Sequence, residues 1–220
     1  MSRPRYDLAI FDVDGTLLAT DAFWLDIGVA AVAKVFRRHG VDDAPPPPAR
    51  FLEAMGLPMQ AFWDHVLPAS RRALGPEIES EAQDLERVAF AAGHGAMYPG
   101  ARDLLTELAE SGMAVALASN CSRRYLDGFV DAFRLRGVVG SAYCAESAGV
   151  GSKADMVREI LGETRARRPV MIGDRSGDRD AAAANRVPFV LFTGGFGAAR
   201  CTAGDLVARD YDEVRALLLE

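Results

Sequence analysis

Residues 6–20 read YDLAIFDVDGTLLAT, and the fold turns on this stretch. Leu8 to Phe11 form an apolar run of the length and composition of a buried strand. The run ends in two carboxylates one residue apart, Asp12 and Asp14, followed by Gly15 and Thr16. Carboxylates lose hydration on burial and repel one another, so the pair costs stability unless a cation or a chemical task compensates.

Further apolar runs recur along the chain: Met113 to Ser119, Pro169 to Asp174 and Pro188 to Thr193, with weaker ones at SAYCAE and DLVAR. Between them lie helical stretches, among them ARDLLTELAES, SRRYLDGFVDAF, KADMVREILGET, DRDAAAAN and YDEVRALLLE. Nearly all-apolar strands alternating with helices predict an α/β fold, a doubly wound parallel sheet with helices on both faces. The alternation fails from Thr20 to Gly95, where the pattern is helical only, including one helix expected across MQAFWDHVLPASRRAL. The expected organisation is a core of residues 1–18 and 96–220, with an all-helical cap, residues 19–95, inserted after the first strand beside Asp12 and Asp14. Pro45 to Pro48 reads as a stiff spacer within the cap, and Gly93 and Gly95 as a hinge where the chain returns.

Four polar clusters follow predicted strands. They are Asp12-Val13-Asp14-Gly15-Thr16, Ser119-Asn120, Lys153 at the start of a helix, and the loop GDRSGDRD with Asp174 and Asp178. In a parallel sheet the carboxyl ends of the strands share one edge, where ligands bind, so the clusters converge. Each alone has an ordinary reading: helix caps for Ser119, Asp174 and Asp178, a surface charge for Lys153. Together they supply a phosphoryl-transfer site. Asp12 can attack phosphorus to form an aspartyl-phosphate, and Asp14 can protonate the leaving oxygen and then deprotonate water. Asp174, with Asp178, completes an oxygen-rich site for Mg²⁺. Ser119 and Lys153 can hold phosphoryl oxygens, and Gly15 lets backbone N–H groups approach them.

DVDGTL, Ser119 in ASN, Lys153, and GDRSGD, in that order, resemble the four-motif signature of the haloacid dehalogenase superfamily. The resemblance covers essentially the whole chain and is closest to the magnesium-dependent phosphatases with a helical cap, phosphoglycolate-phosphatase-like proteins among them. It implies Asp12 as nucleophile and Asp14 as acid and base. It implies metal held by the Asp12 carboxylate, the Asp14 backbone carbonyl and Asp174, and phosphate contacts from Ser119, Asn120 and Lys153. Many relatives carry a proline beside the third-motif lysine; this chain has alanine there. Asp14 speaks against carbon–halogen cleavage, since dehalogenating members lack the second aspartate. The cap lysine, Lys34, sits in an apolar helix and reads as a surface or snorkelling residue, not a Schiff base.

The expected activity is hydrolysis of a small-molecule phosphate monoester. A phosphosugar mutase shares the core motifs and is the alternative, followed by a signalling module phosphorylated on aspartate. Specificity is expected in the cap, with Arg50, Arg71 and Arg72 as candidates for an anionic substrate. The formal charge of −6 over 220 residues argues against a nucleic-acid partner, and no apolar run approaches a membrane span. Cys121, Cys144 and Cys201 have no metal spacing and read as free thiols that pack as small hydrophobes. His39, His65 and His94 likewise form no metal site. The N-terminus lacks a signal-peptide pattern, so a cytoplasmic location is expected. No sequence feature sets an oligomeric state.

Overall fold

The computed structural model describes residues 4–197 and 199–219. Six strands form one sheet: β1 (Leu8–Phe11), β2 (Ala114–Ser119), β3 (Ser141–Cys144), β4 (Pro169–Gly173), β5 (Phe189–Phe192) and β6 (Leu206–Ala208). All pair in parallel in the order β3-β2-β1-β4-β5-β6. The order reverses between β1 and β4, which makes the carboxyl ends of those two strands the switch point.

Alternation along β1 decides the two faces. Leu8 and Ile10 pack with Met156 and Ile160 of α7 (Lys153–Thr164) and with Ala181 of α8 (Ser176–Ala184). Ala9 and Phe11 face the other way. There they join the cluster containing Leu105 of α5 (Ala101–Glu110), Phe129 of α6 (Arg123–Ala132) and Val214 of α9 (Tyr211–Leu218). Burying a Leu, Ile or Phe side chain contributes roughly 1.5–3 kcal/mol, so both faces of the short strand are strongly driven inward.

Between β1 and α5 the chain is helical: α1 (Asp21–Arg38), α2 (Pro48–Ala54), α3 (Met59–Val66), a 3₁₀ turn (Ala69–Leu74) and α4 (Gly75–Ala91). Residues 59–74 therefore form two elements where one helix was expected. Pro68 lacks an N–H and disfavours helical backbone at Leu67, which is extended (φ −85°, ψ 144°). The proline tract does more than space: Pro48 is the first residue of α2, where a missing N–H costs nothing. The core of the helical segment is aromatic, with Trp24, Phe51, Phe62 and Trp63 mutually within 6.4 Å between ring centroids. Lys34 pairs at the surface with Glu81, as its snorkelling reading requires.

The two passages between sheet and helical segment run side by side. Tyr98 N–H donates to the Leu17 carbonyl (2.9 Å) and Ala19 N–H to the Ala96 carbonyl (3.0 Å). Cys121 and Cys144 are buried as expected, whereas Cys201 is exposed and does not pack as a hydrophobe. His39 and His65 lie at the surface against Glu77 and Glu53. No helix among the described residues is long and apolar enough to cross a membrane.

Candidate active site

Asp12 follows β1, Ser119 ends β2, Lys153 opens α7 after β3, and Asp174 follows β4. Parallel pairing in register brings these ends to one edge, although they lie up to 162 residues apart in sequence. Lys153 is 8% exposed, and its ammonium donates to Asp12 Oδ1 (2.7 Å) and Asp178 Oδ1 (2.6 Å). The helix-cap reading of Ser119 fails because Ser122 caps α6, accepting the Tyr125 N–H (3.2 Å). Asp178 has two roles. Its Oδ2 accepts the Arg175 N–H (3.0 Å) at the start of α8, while Oδ1 holds Lys153.

Asp12, Asp174 and Asp178 each offer a carboxylate oxygen within 4.8 Å of the others. The Asp14 side chain, for which the expected role is acid and base, stands apart from that group. Its Oδ1 accepts from the Thr20 hydroxyl (2.6 Å) and the Tyr125 hydroxyl (2.8 Å). Burial raises the Asp14 pKa, and those two donors oppose the rise. Burial and the neighbouring Asp178 push Asp12 well above the usual carboxylate range, against the pull of Lys153. The same two causes, burial and then Asp178, push Asp174 up to about 7. Burial alone would lower the Lys153 pKa, but Asp12 and Asp178 outweigh it and raise it.

When all three are ionised, these carboxylates outnumber the one ammonium among them by two charges. Asp174 Oδ2 is buried without a hydrogen-bond partner. An orphaned oxygen among hard carboxylate donors, short by two charges, fits a divalent ion such as Mg²⁺.

Gly15 and Thr16, expected at the phosphate, both lie against Asp174. Gly15 has φ +80°, and a Cβ there would collide with Asp174 Oδ2. The Thr16 hydroxyl stands 3.5 Å from Asp174 Oδ1, and its carbonyl accepts from the Tyr211 hydroxyl (2.8 Å). At Gly195, in the glycine-rich loop after β5, a Cβ would collide with the Gly15 carbonyl, so no side chain fits. The loop therefore buttresses the acidic cluster.

A cavity opens from Asp12, Asp14, Ser119 and Lys153 toward the helical segment. Asn120 crosses the gap by donating to the Gly56 carbonyl (3.0 Å). The far wall is made of Trp24, Met55, Phe62, Glu79 and Glu86. None of Arg50, Arg71 or Arg72 lines it. Arg50 donates to the His65 carbonyl, Arg71 pairs with Asp43 (2.8 Å), and Arg72 lies 3.8 Å from Asp64. Reading motifs at strand ends missed Thr20, Tyr125, Glu79 and Glu86, because no local signal marks which helical residues turn inward.

Burial raises Glu86 to about 8 from an ordinary 4.5, against the Trp24 indole N–H that holds it (2.5 Å). The folded chain then binds more protons than the unfolded chain between those values, so stability falls as pH rises through this window. Glu86→Gln keeps the indole bond and removes the ionisation. We expect urea denaturation at pH 5, 7 and 9 to show a shallower decline for the variant, which should be the more stable protein at pH 9.

A doubly wound parallel sheet with carboxylates and a buried lysine at its switch point defines an α/β enzyme with an acidic centre. The chain belongs to the haloacid dehalogenase-like hydrolases, whose family pattern matches residues 9–192. It is 26% identical over 223 residues to a phosphoglycolate phosphatase of Pseudomonas putida, covering 96% of this chain and 78% of that protein. It is 31% identical over 205 residues to the tyrosine-protein kinase PtkA of Mycobacterium tuberculosis. That match takes in 87% of this chain and 64% of the kinase, so the chain spans less than two thirds of that relative. The fold is also similar to that of CbbY from Rhodobacter sphaeroides, solved in complex with phosphate. There the TM-score is 0.77 at 19% identity, covering 95% of this chain and 96% of that one.

Proposed function

We propose that the protein is a Mg²⁺-dependent phosphatase that hydrolyses a small-molecule phosphate monoester through an aspartyl-phosphate on Asp12. The observation that carries this reading is the Lys153 ammonium held between Asp12 and Asp178 at the floor of a cavity that Asp14 also lines. Asp12, Asp174 and Asp178 are the side chains that would hold Mg²⁺, with the Asp14 backbone carbonyl as the resemblance implies. When bound, the ion offsets the two surplus charges and draws the phosphate oxygens toward Asp12.

Lys153 and the Ser119 hydroxyl hold the phosphoryl oxygens and stabilise the charge spread over them in the transition state. The Asp12 carboxylate attacks phosphorus as the bond to the leaving oxygen breaks. Asp14, whose pKa burial raises, gives that oxygen its proton. It then takes a proton from water, which attacks the aspartyl-phosphate, releases phosphate and restores Asp12. Thr20 and Tyr125 fix the Asp14 carboxyl, so the proton travels by way of Oδ2. In this reading the helical segment is a cap that excludes bulk water, and Asn120 ties it to the sheet edge.

A second reading, transfer to an organic hydroxyl in place of water, rests on the likeness to the mycobacterial kinase. The phosphosugar mutase alternative is of the same kind. Incubating the protein with a phosphate ester and a sugar or tyrosine-peptide acceptor separates them. Free phosphate supports hydrolysis, and a phosphorylated acceptor supports transfer. A phosphoenzyme lasting minutes would instead favour the signalling module.

Metal dependence has its own readout. Mg²⁺ at a hundred times its Kd should stabilise the fold by about 2.7 kcal/mol. A chain of this size then gains roughly 5–11 °C in Tm. EDTA should reverse the gain, and Asp174→Asn should lose most of it. Equal melting in EDTA and Mg²⁺ would remove the metal from the mechanism.

A further inference from the structure

We infer that the leaving alcohol of the substrate carries a protonated amine, and that Glu79 and Glu86 receive it. This names a substrate class for the same cavity and rests on the phosphatase reading above.

The cavity has two unlike ends. At the sheet edge stand Asp12, Ser119 and Lys153; at the helical end stand Glu79 and Glu86 among Trp24, Phe62 and Met55. Both glutamates are fixed in place. Glu86 accepts from the Trp24 indole N–H (2.5 Å). Glu79 accepts from the Trp63 indole N–H (2.6 Å) and the Gln83 amide (2.9 Å). Glu86 is only 7% exposed and Glu79 is partly buried. An indole N–H needs only an acceptor, which a glutamine would supply without the cost of desolvating a carboxylate. Burial raises both pKa values, Glu86 to about 8, and a cation entering between the two groups would draw them to the charged form.

The charge inventory agrees. Among the described residues lining the cavity, Lys153 is the one cation, and it is engaged by Asp12 and Asp178. Asp12, Asp14, Glu79 and Glu86 all face the same space. A leaving group ending in a carboxylate or a second phosphate would find no arginine in the lining to meet it. Arg50, Arg71 and Arg72, the cap arginines suited to such a group, are turned away on other partners. An ammonium has the opposite experience: it pairs with the glutamates and rests against the faces of Trp24 and Phe62, whose rings attract cations. The phosphate of the same molecule meets Lys153 at the other end. The cavity is therefore complementary to a zwitterion with its positive end in the helical segment. An adjoining cleft that shares Gly56, Asn120 and Lys153 carries Arg175 and Arg200, and an anionic leaving group would have to lie there.

The test is kcat/KM with Mg²⁺ for 2-aminoethyl and 4-aminobutyl phosphate, neutral 2-hydroxyethyl phosphate, and 2-phosphoglycolate, with p-nitrophenyl phosphate as reference. At least one amine ester should exceed the hydroxyl ester, and the hydroxyl ester the glycolate ester, by about tenfold each. Glu86→Gln and Glu79→Gln should each reduce the amine-over-hydroxyl ratio several-fold, chiefly through KM. Turnover of 2-phosphoglycolate equal to or above that of both amine esters would overturn the proposal and point to the Arg175 cleft. An amine preference surviving in both glutamine variants would overturn it too. Hydrolysis of p-nitrophenyl phosphate without any preference by charge sinks this inference and leaves the phosphatase reading standing. Failure on every ester sinks both.

Discussion

Asp12→Asn should abolish hydrolysis of p-nitrophenyl phosphate, lowering kcat on the order of 10⁴-fold or more, as removal of a nucleophile does. The amide matches the carboxylate in shape and can still accept from Lys153, but it cannot form the acyl phosphate. The fold should survive. Wild type has three carboxylates around one ammonium, and the variant has two, so the surplus negative charge falls from two to one. The metal-free variant should therefore melt at or above the wild-type temperature in EDTA. Inactivity with unchanged or raised Tm identifies a chemical role for Asp12, whereas a variant that still turns over at the wild-type rate excludes the aspartyl-phosphate.

Lys153→Met should be damaging in the opposite sense, because it harms both rate and fold. It removes the one ammonium among Asp12, Asp174 and Asp178, all of them buried. Breaking a buried ion pair from one side costs about 3–5 kcal/mol, since the partner charge is left without compensation. The sign of the pH dependence follows. Without Lys153 the folded-state pKa values of these carboxyls rise further above their unfolded values. The native state then holds extra protons, and stability falls as pH climbs from the ordinary carboxylate range. Wild type carries part of this already, with Asp174 at about 7 against an ordinary 3.8. In EDTA, urea denaturation should find the variant's deficit larger at pH 8 than at pH 5. Lys153→Arg should not restore activity. A planar guanidinium does not reproduce one nitrogen at 2.7 Å from Asp12 and 2.6 Å from Asp178. A methionine variant as stable as wild type at both pH values would mean that the lysine does not offset the carboxylates.

The strands and the convergence of the four motifs were legible because both rest on local pattern. Leu8–Phe11 is apolar on both faces, which only a doubly covered sheet satisfies, and β1 occupies those residues. Parallel pairing then carries Asp12, Ser119, Lys153 and Asp174 to one edge without further instruction. Local pattern misled where two rules competed: the apolar spacing over 59–74 predicts one helix, and Pro68 divides it. Motif position placed Asp14 at the site but not the groups that hold its carboxyl. Tyr125, from a distant helix, donates to the Asp14 carboxyl, and Tyr211 to the Thr16 carbonyl.

The cavity wall lay beyond such reading. Trp24 and Glu86 are 62 residues apart, and they meet because α1 and α4 pack at one crossing. Arg50, Arg71 and Arg72 stay outside the cavity for the same kind of reason, since tertiary packing brings each to another partner: the His65 carbonyl, Asp43 and Asp64. Strand period and chain order are local properties that parallel pairing converts into proximity, and they were enough for the sheet, its edge and the acid–lysine chemistry gathered there. The lining of the cavity came from helix packing. Which face of a helix turns inward depends on its crossing with another helix, and that crossing is settled by packing between distant residues.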